Sequence, residues 1–412
     1  MVALKEKKVK AKSIKGKSPE EIKTALQQSI ADTRPDDRAG SDGDDPRLND
    51  LVGQAFGREY KPTLAFVFLT ELEDIDAVSA IMVAEGVSIF GASTSEKFTE
   101  HGIEAEGIVV LLLDINPANF KIVLKDFKSA SVNESACQLG ESGKNTFDHP
   151  AFIISTADHQ IQFEQVIKGI LDKAGAHVNI MGGVSGEPVN FTGTVFTNHA
   201  KTTSGLVSLI LDEDKIDIKG IAISGWKPVG KEKRITKSEG SWIYTIDHEP
   251  AIYVIKKFLG KEIVTSEKSE GLVPLDINYP LQVQREAGTA MMRPTLLWNT
   301  DDQSVMVGGP VKEGSLFRFS LPPDLDVIDA VIESSRKIKE KEQPEADALI
   351  VFSCIGRLSS LGPMVSEEIG GLAATWNKPL IGFFSMGEFG KLDDSRPEFH
   401  GTSVSWVALK EK

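Results

Sequence analysis

The sequence predicts an α/β fold: two domains of mixed β-sheets covered by helices, built from repeated β-α-β-β units. Three observations carry this. Runs such as Leu64–Leu69, Leu206–Leu211 and Leu349–Phe352 are apolar on both faces, as strands are in sheets covered on both sides. Between such runs lie segments with apolar residues at helical spacing, for example Ile75, Val78 and Met82. The order strand, helix, strand, small-residue turn, returning strand then recurs along the chain.

Taken in order, residues 1–23 are lysine-rich and 32–50 are dense in Asp, Gly, Pro and Arg. Neither stretch offers enough apolar area to offset ordering, so residues 1–55 are expected to form a disordered or weakly ordered tail. Within it Pro19–Ile30 reads as a short helix, with Ser18 as N-cap and Glu21 three residues on. The first domain is expected over 60–260. Its first unit runs through strand Leu64–Leu69, a helix capped by Thr70, strand Val87–Phe90, the turn Gly91–Glu96 and strand Gly107–Asp114. Phe120–Leu124 alternates like a half-exposed partner. The second unit runs through Phe152–Ser155, a helix capped by Asp158 with Val166, Ile167 and Ile170 on one face, His177–Met181, the turn Gly182–Glu187, and Leu206–Leu211. Ile216–Ile223 follows as a strand.

Ser224–Gly230 is a turn, and Arg234–Thr236 with Trp242–Ile246 reads as a hairpin. A helix opens at Asp247–Ala251, with Pro250 in its first turn, and ends at Gly260. Polar Lys261–Gly271 reads as the linker to a second domain over 272–412. There Val305–Val307 and Leu316–Phe319 are expected to pair, and Pro322-Pro323-Asp324 opens a helix with Val327, Ile328, Val331 and Ile332 inward. The third unit comprises Leu349–Phe352, a helix through Val365, Ile369 and Leu372, Leu380–Phe384, the turn Ser385–Glu388, and Ser403–Leu409.

Bulk properties exclude several functions. A net charge of −14 disfavours non-specific binding to nucleic acid or anionic membrane. No window approaches the ~18 unbroken apolar residues of a membrane span, and lysines interrupt the N-terminus where a signal core would lie. Two cysteines, Cys137 and Cys354, do not make a disulfide framework, which points to a reducing, cytoplasmic setting. The seven histidines show no metal-ligand spacing, and no phosphate-binding or dinucleotide fingerprint occurs, so neither metal nor cofactor is expected.

Chemistry is expected at the strand ends. In open α/β sheets ligands sit off the carboxyl ends of strands, and small residues let the backbone approach them. Cys354, Arg357, Ser385 and Glu388 therefore line the mouth of an expected pocket, with Gly182, Gly183 and Ser185 repeating the device in the second unit. Exposed turn N–H groups favour carboxylates or phosphates. Arg357 reads either as a bidentate clamp for a ligand carboxylate or as the partner of Glu388. Trp226 reads as an apolar wall or as packing under its turn. Two other readings stand beside this one. Cys354 next to an arginine is a candidate nucleophile for hydrolase or transferase chemistry, given a base such as His400. Alternatively, the acidic surface and the tail make a protein-interaction scaffold.

In its order and spacing of motifs the chain resembles the FIST family, the F-box and intracellular signal transduction proteins, over roughly residues 60–410. Gly182-Gly183…Gly186, Gly225-Trp226-Lys227-Pro228-Val229-Gly230 and Asp247…Pro250-Ala251 resemble the N-terminal FIST domain. Phe352-Ser353-Cys354…Gly356-Arg357, Gly382-Phe383…Gly387-Glu388 and His400-Gly401-Thr402 resemble the C-terminal one. The resemblance implies a sensory module for small molecules such as amino acids or other small anions, with no established catalytic residues. No F-box or output module is seen, so the expected protein is a stand-alone sensor whose signal leaves through a signalling partner or through homo-oligomerisation.

Overall fold

The computed structural model describes residues 10–31, 60–158, 161–187, 192–259, 271–275, 278–285, 290–321, 323–392 and 396–412. Residues 261–270 of the expected linker, and residues 1–9 and 32–55 of the expected tail, lie outside the described residues.

Three six-stranded sheets share one plan. In each, a lead strand pairs antiparallel with a returning strand, which pairs antiparallel with a first strand, which pairs parallel with a second strand. The first sheet takes these from Ala11–Gly16, Ile108–Leu113, Leu64–Leu69 and Ser88–Ser93. The second takes them from Phe120–Asp126, Gly205–Asp212, Pro150–Thr156 and Ile180–Val184. The third takes them from Ile216–Ile223, Val404–Glu411, Ala348–Cys354 and Leu380–Ser385.

A hairpin from a different module completes each sheet. Val195–Phe196 of the second module joins Ser88–Ser93 of the first. Glu388–Gly390 of the third joins Ile180–Val184 of the second. Lys97–Thr99 of the first joins Leu380–Ser385 of the third. The exchange is cyclic, and its registers coincide: Gly91, Gly182 and Gly382 face Phe196, Phe389 and Phe98 respectively. A Cβ on Gly91 would lie 2.4 Å from the Phe196 ring, and one on Gly382 2.3 Å from that of Phe98. Only glycine admits the aromatic there.

The sheets turn one face toward a shared core that includes Phe68, Ala92, Ile153, Met181, Val195, Phe352, Phe383 and Val407. Their other faces carry helix pairs, Pro19–Ala31 with Asp74–Ala84, Val132–Thr146 with Phe163–Ala174, and Leu325–Lys341 with Val365–Trp376, each over its own apolar layer. This is why the strands read as apolar on both sides.

Several expectations change. Residues 11–31 are not a loose tail: Ala11–Gly16 pairs along its whole length with Ile108–Leu113, and Ile22 and Leu26 are fully buried. An existing sheet edge supplies the backbone partners, so a few apolar groups suffice, while Lys12 donates to Ser29 O of the helix at 2.7 Å and Lys15 carries its charge outward onto Glu104 at 2.5 Å. The cap stands where expected, with Glu21 N donating to Ser18 Oγ at 3.4 Å and Lys17 N to Glu21 Oε2 at 2.8 Å. Thr70 and Asp158 are not caps, since their helices begin at Asp74 and Phe163. Thr70 instead accepts from Lys97 Nζ, and Asp158 from Ser204 Oγ.

Residues between Ile223 and Leu325 build a separate nine-stranded sheet with its own core. The expected hairpin is there, as Pro228–Glu239 with Trp242–Ile246. Val305–Val307 and Leu316–Ser320 do not pair with each other; the former joins Trp242–Ile246, the latter Pro228–Glu239. The expected division between 260 and 272 is not a division between sheets. Strands Lys97–Thr99 and Ile216–Ile223 lie in the sheet of the last module, and Glu388–Gly390 and Glu398–His400 in that of the second. Hairpin exchange is the physical reason: no cut of the chain at one point separates the sheets.

Candidate ligand site at the strand ends

The third module brings Cys354, Ser385 and Glu388 together. Cys354 ends its strand opposite Ser385, and its N–H donates to Ser403 O at 2.9 Å. Ser385 Oγ donates to Glu388 Oε1 at 2.5 Å. Ser403 holds the other carboxylate oxygen through its hydroxyl at 2.7 Å and its N–H at 3.3 Å. The turn carrying Ser403 is bent at Thr402, a non-glycine residue at φ 56°.

The second sheet passes beneath. Ser155, Gly183, Glu388 and His400 are successive register partners, so their side chains share one face. A Cβ on Gly183 would lie 2.9 Å from Ser385 Cβ and from the Phe352 ring, so glycine is needed for the approach. Gly182 contributes backbone pairing to Phe389 rather than a surface to the cluster. Ser185 is fully buried with an unpartnered hydroxyl.

Arg357 is not available to a ligand. It is fully buried and forks onto Glu368, with Nε 3.0 Å from Oε1 and Nη2 on Oε2. Its Nη1 donates to Ser224 O at 2.6 Å, and its guanidinium lies 5.0 Å from the Trp226 ring. The expected carboxylate clamp, or partner for Glu388, is instead a pin holding two helices to the Ser224–Trp226 turn. Trp226 is a packing residue against Met292 and Val327, its Nε1 donating to Asn278 O at 3.2 Å.

Burial dominates the electrostatics. It pushes the Glu388 carboxyl up to about 8 despite the donors from Ser385 and Ser403. Burial, then the Glu388 charge, pushes the Cys354 thiol far above its ordinary range. Burial and nearby Arg293 pull His400 down to about 3. His400 Nε2 lies 3.2 Å from Gly390 O. A carbonyl only accepts, so Nε2 carries the proton and Nδ1 is a bare acceptor, and it has no partner. Ser155 Oγ and Thr402 Oγ1 are likewise buried and unpartnered.

The inserted sheet closes the site from above. Gly401 packs so tightly under Pro294 that a Cβ would lie 2.6 Å from it. Arg293 reaches Phe399 O at 2.9 Å and Glu164 at 3.3 Å. Sequence reasoning placed Cys354, Ser385 and Glu388 together but missed Ser403, Ser155 and Glu368. The run His400-Gly401-Thr402 was the available signal for the first. Nothing local marks the other two. Among the described residues no group of three or more metal-ligating side chains occurs. A surface groove of about 450 Å³ lined by Lys219, Ile223, Lys337 and Lys391 shares no residue with the cluster.

The architecture defines an α/β protein with a buried polar cluster at a seam between two sheet systems. The chain belongs to the FIST family: the FIST N domain matches residues 63–249 and the FIST C domain residues 251–391. The junction between the two falls inside the inserted sheet, between Trp242–Ile246 and the helix Ala251–Leu259. FIST domains are associated with sensory signal transduction. Comparison with curated proteins gives no match. Among the described residues no helix is long and apolar enough to cross a membrane.

Proposed function

We propose that this chain is a cytoplasmic sensory module that takes up a small polar molecule at the seam, around Cys354, Ser385 and Glu388, with Gly183 and Ser185 as its floor. Arg357 and Trp226 hold the wall, and Gly182 holds the edge pairing beneath. One observation carries the reading. The fully buried Glu388 shares its sheet face with Ser155 and His400, while Ser185 and Thr402 lie next along the chain to its neighbours, and all four are buried with unpartnered polar atoms. Native interiors leave few such groups, and each calls for a water or a ligand. Sites at the junction of two structural units are common, and occupancy would alter how the inserted sheet rests on Gly401, which gives a protein partner something to read.

A thermal-shift screen of small metabolites tests this. A guest at a hundred times its Kd stabilises by about 2.7 kcal/mol. The shift should vanish in Ser403→Ala and in Glu388→Gln. A guest whose shift survives both substitutions binds elsewhere. The nucleophile reading draws no support from the geometry: Cys354 is 6% exposed and its thiol is held protonated. Thiol reagents at pH 7.5 should leave Cys354 unlabelled in the folded protein, and rapid labelling would restore that reading.

A further inference from the structure

Resting on that reading of the site, we propose that the guest presents a protonated amine or guanidine nitrogen, which donates to Glu388 and to His400 Nδ1. The argument is one of unmet valence. Among the described residues Glu388 is held by two hydroxyls and one backbone N–H. The titratable and charged groups facing it among the described residues are Cys354 from the preceding strand, Arg357 from the helix Ile355–Leu361, and His400 from the paired strand. The thiol is neutral, the imidazole is neutral, and Arg357 is forked on Glu368. Among the described residues the one cation whose charge reaches Glu388 is therefore Arg357, and that charge is shared with Glu368.

The adjoining seam repeats the pattern. Arg293 is committed to Glu164 and the carbonyls of Phe399 and Pro310, and Arg285 pairs with Glu398 at 2.7 Å. The open non-hydroxyl atoms there are His400 Nδ1, Glu164 Oε2 and Glu398 Oε2, all acceptors. A carboxylate guest would set a second negative charge beside Glu388 and a further acceptor beside His400 Nδ1. An ammonium or guanidinium supplies both donors and the missing charge.

Without a guest Glu388 keeps its proton at neutral pH, because burial outweighs the Ser385 and Ser403 donors and the Arg357 charge it shares with Glu368. Entry of the cation then releases that proton to solvent: carboxylic acid plus ammonium gives carboxylate, ammonium and one free proton.

Titration calorimetry of the full chain with butylamine, methylguanidine, butyrate and butanol, in buffers of different ionisation enthalpy, tests the proposal. The expected result is binding of a cationic probe with release of close to one proton, and affinity rising about tenfold per unit between pH 6 and pH 8. Glu388→Gln, which mimics the neutral acid and should fold, loses both. His400→Phe weakens binding but keeps the proton release. Three outcomes overturn the charge assignment: butyrate binding in place of the amines, amine binding without proton release, and no heat from either cation at millimolar concentration. If the charge assignment fails while Glu388→Gln still abolishes a hit from the metabolite screen, the seam site itself stands. If that hit survives both Glu388→Gln and Ser403→Ala, the site reading fails too.

Discussion

Arg357 shows how one buried ion pair redirects a reading. Its fork onto Glu368 leaves both side chains essentially without solvent. Arg357→Ala would strand a buried carboxylate and remove the stack on Trp226, so a loss of about 3–5 kcal/mol in urea denaturation is expected. A loss below about 1 kcal/mol would show that the pin is not structural. Glu388 and His400 give the pH dependence. The folded-state pKa of Glu388 is raised from 4.5 to about 8. Between those values the folded protein keeps a proton the unfolded chain has given up. Stability from this group therefore falls by about 1.4 kcal/mol per unit as pH rises through the window. The folded-state pKa of His400 is lowered from 6.5 to about 3, so its contribution falls as pH drops through that range. The two slopes oppose each other from pH 4.5 to 6.5, and Glu388 acts without that opposition from 6.5 to 8. Comparing Glu388→Gln with the parent across pH 6.5–8 should show the parent's decline flattened. Parallel curves would place the raised pKa elsewhere.

The helix Pro19–Ala31 and its strand Ala11–Gly16 make the case at the scale of elements. Ser18 and Glu21 marked the helix in the sequence because capping is local chemistry. Its docking was not legible, because the partner edge Ile108–Leu113 lies some ninety residues on. Leu26 is fully buried over the first sheet beside Ile75 and Val78. Leu26→Ala should cost about 2–5 kcal/mol in chemical denaturation; a change within about 0.5 kcal/mol would mean that the helix does not dock. The misplaced caps at Thr70 and Asp158 have a related cause. Both residues sit at a strand end, where a distant segment outbids the following helix for the side chain: Lys97 for one, Ser204 for the other.

For the whole molecule, the cyclic exchange of hairpins makes the three sheets depend on one another. Gly382 tests that coupling, since a Cβ there would meet both the Phe98 ring and Val351 O at 2.3 Å. Gly382→Ala lies in the third module yet should expel the first module's hairpin, destabilising the protein by several kcal/mol, on the order of 3. Hydrogen exchange should show faster exchange around Lys97–Thr99, and unchanged protection there would break the argument. The turn glutamates were a partial guide to this arrangement. Glu388 follows the third glycine into the hairpin, but the residue that takes its place in the first module is Lys97, one beyond Glu96.

By itself the sequence determined the apolar strands and the intervening helix of each recurring unit, the family, and the grouping of Cys354, Ser385 and Glu388, but not the strand Ala11–Gly16 or the helix Val132–Thr146. Those follow from periodicity, turn chemistry and short-range motifs, which act over a few residues. Tertiary structure alone decided which sheet each hairpin completes, that Arg357 belongs to Glu368, and that the inserted sheet covers Gly401. Each of these depends on which distant groups meet and on how much water they lose when they do. Spacing along a chain does not encode that.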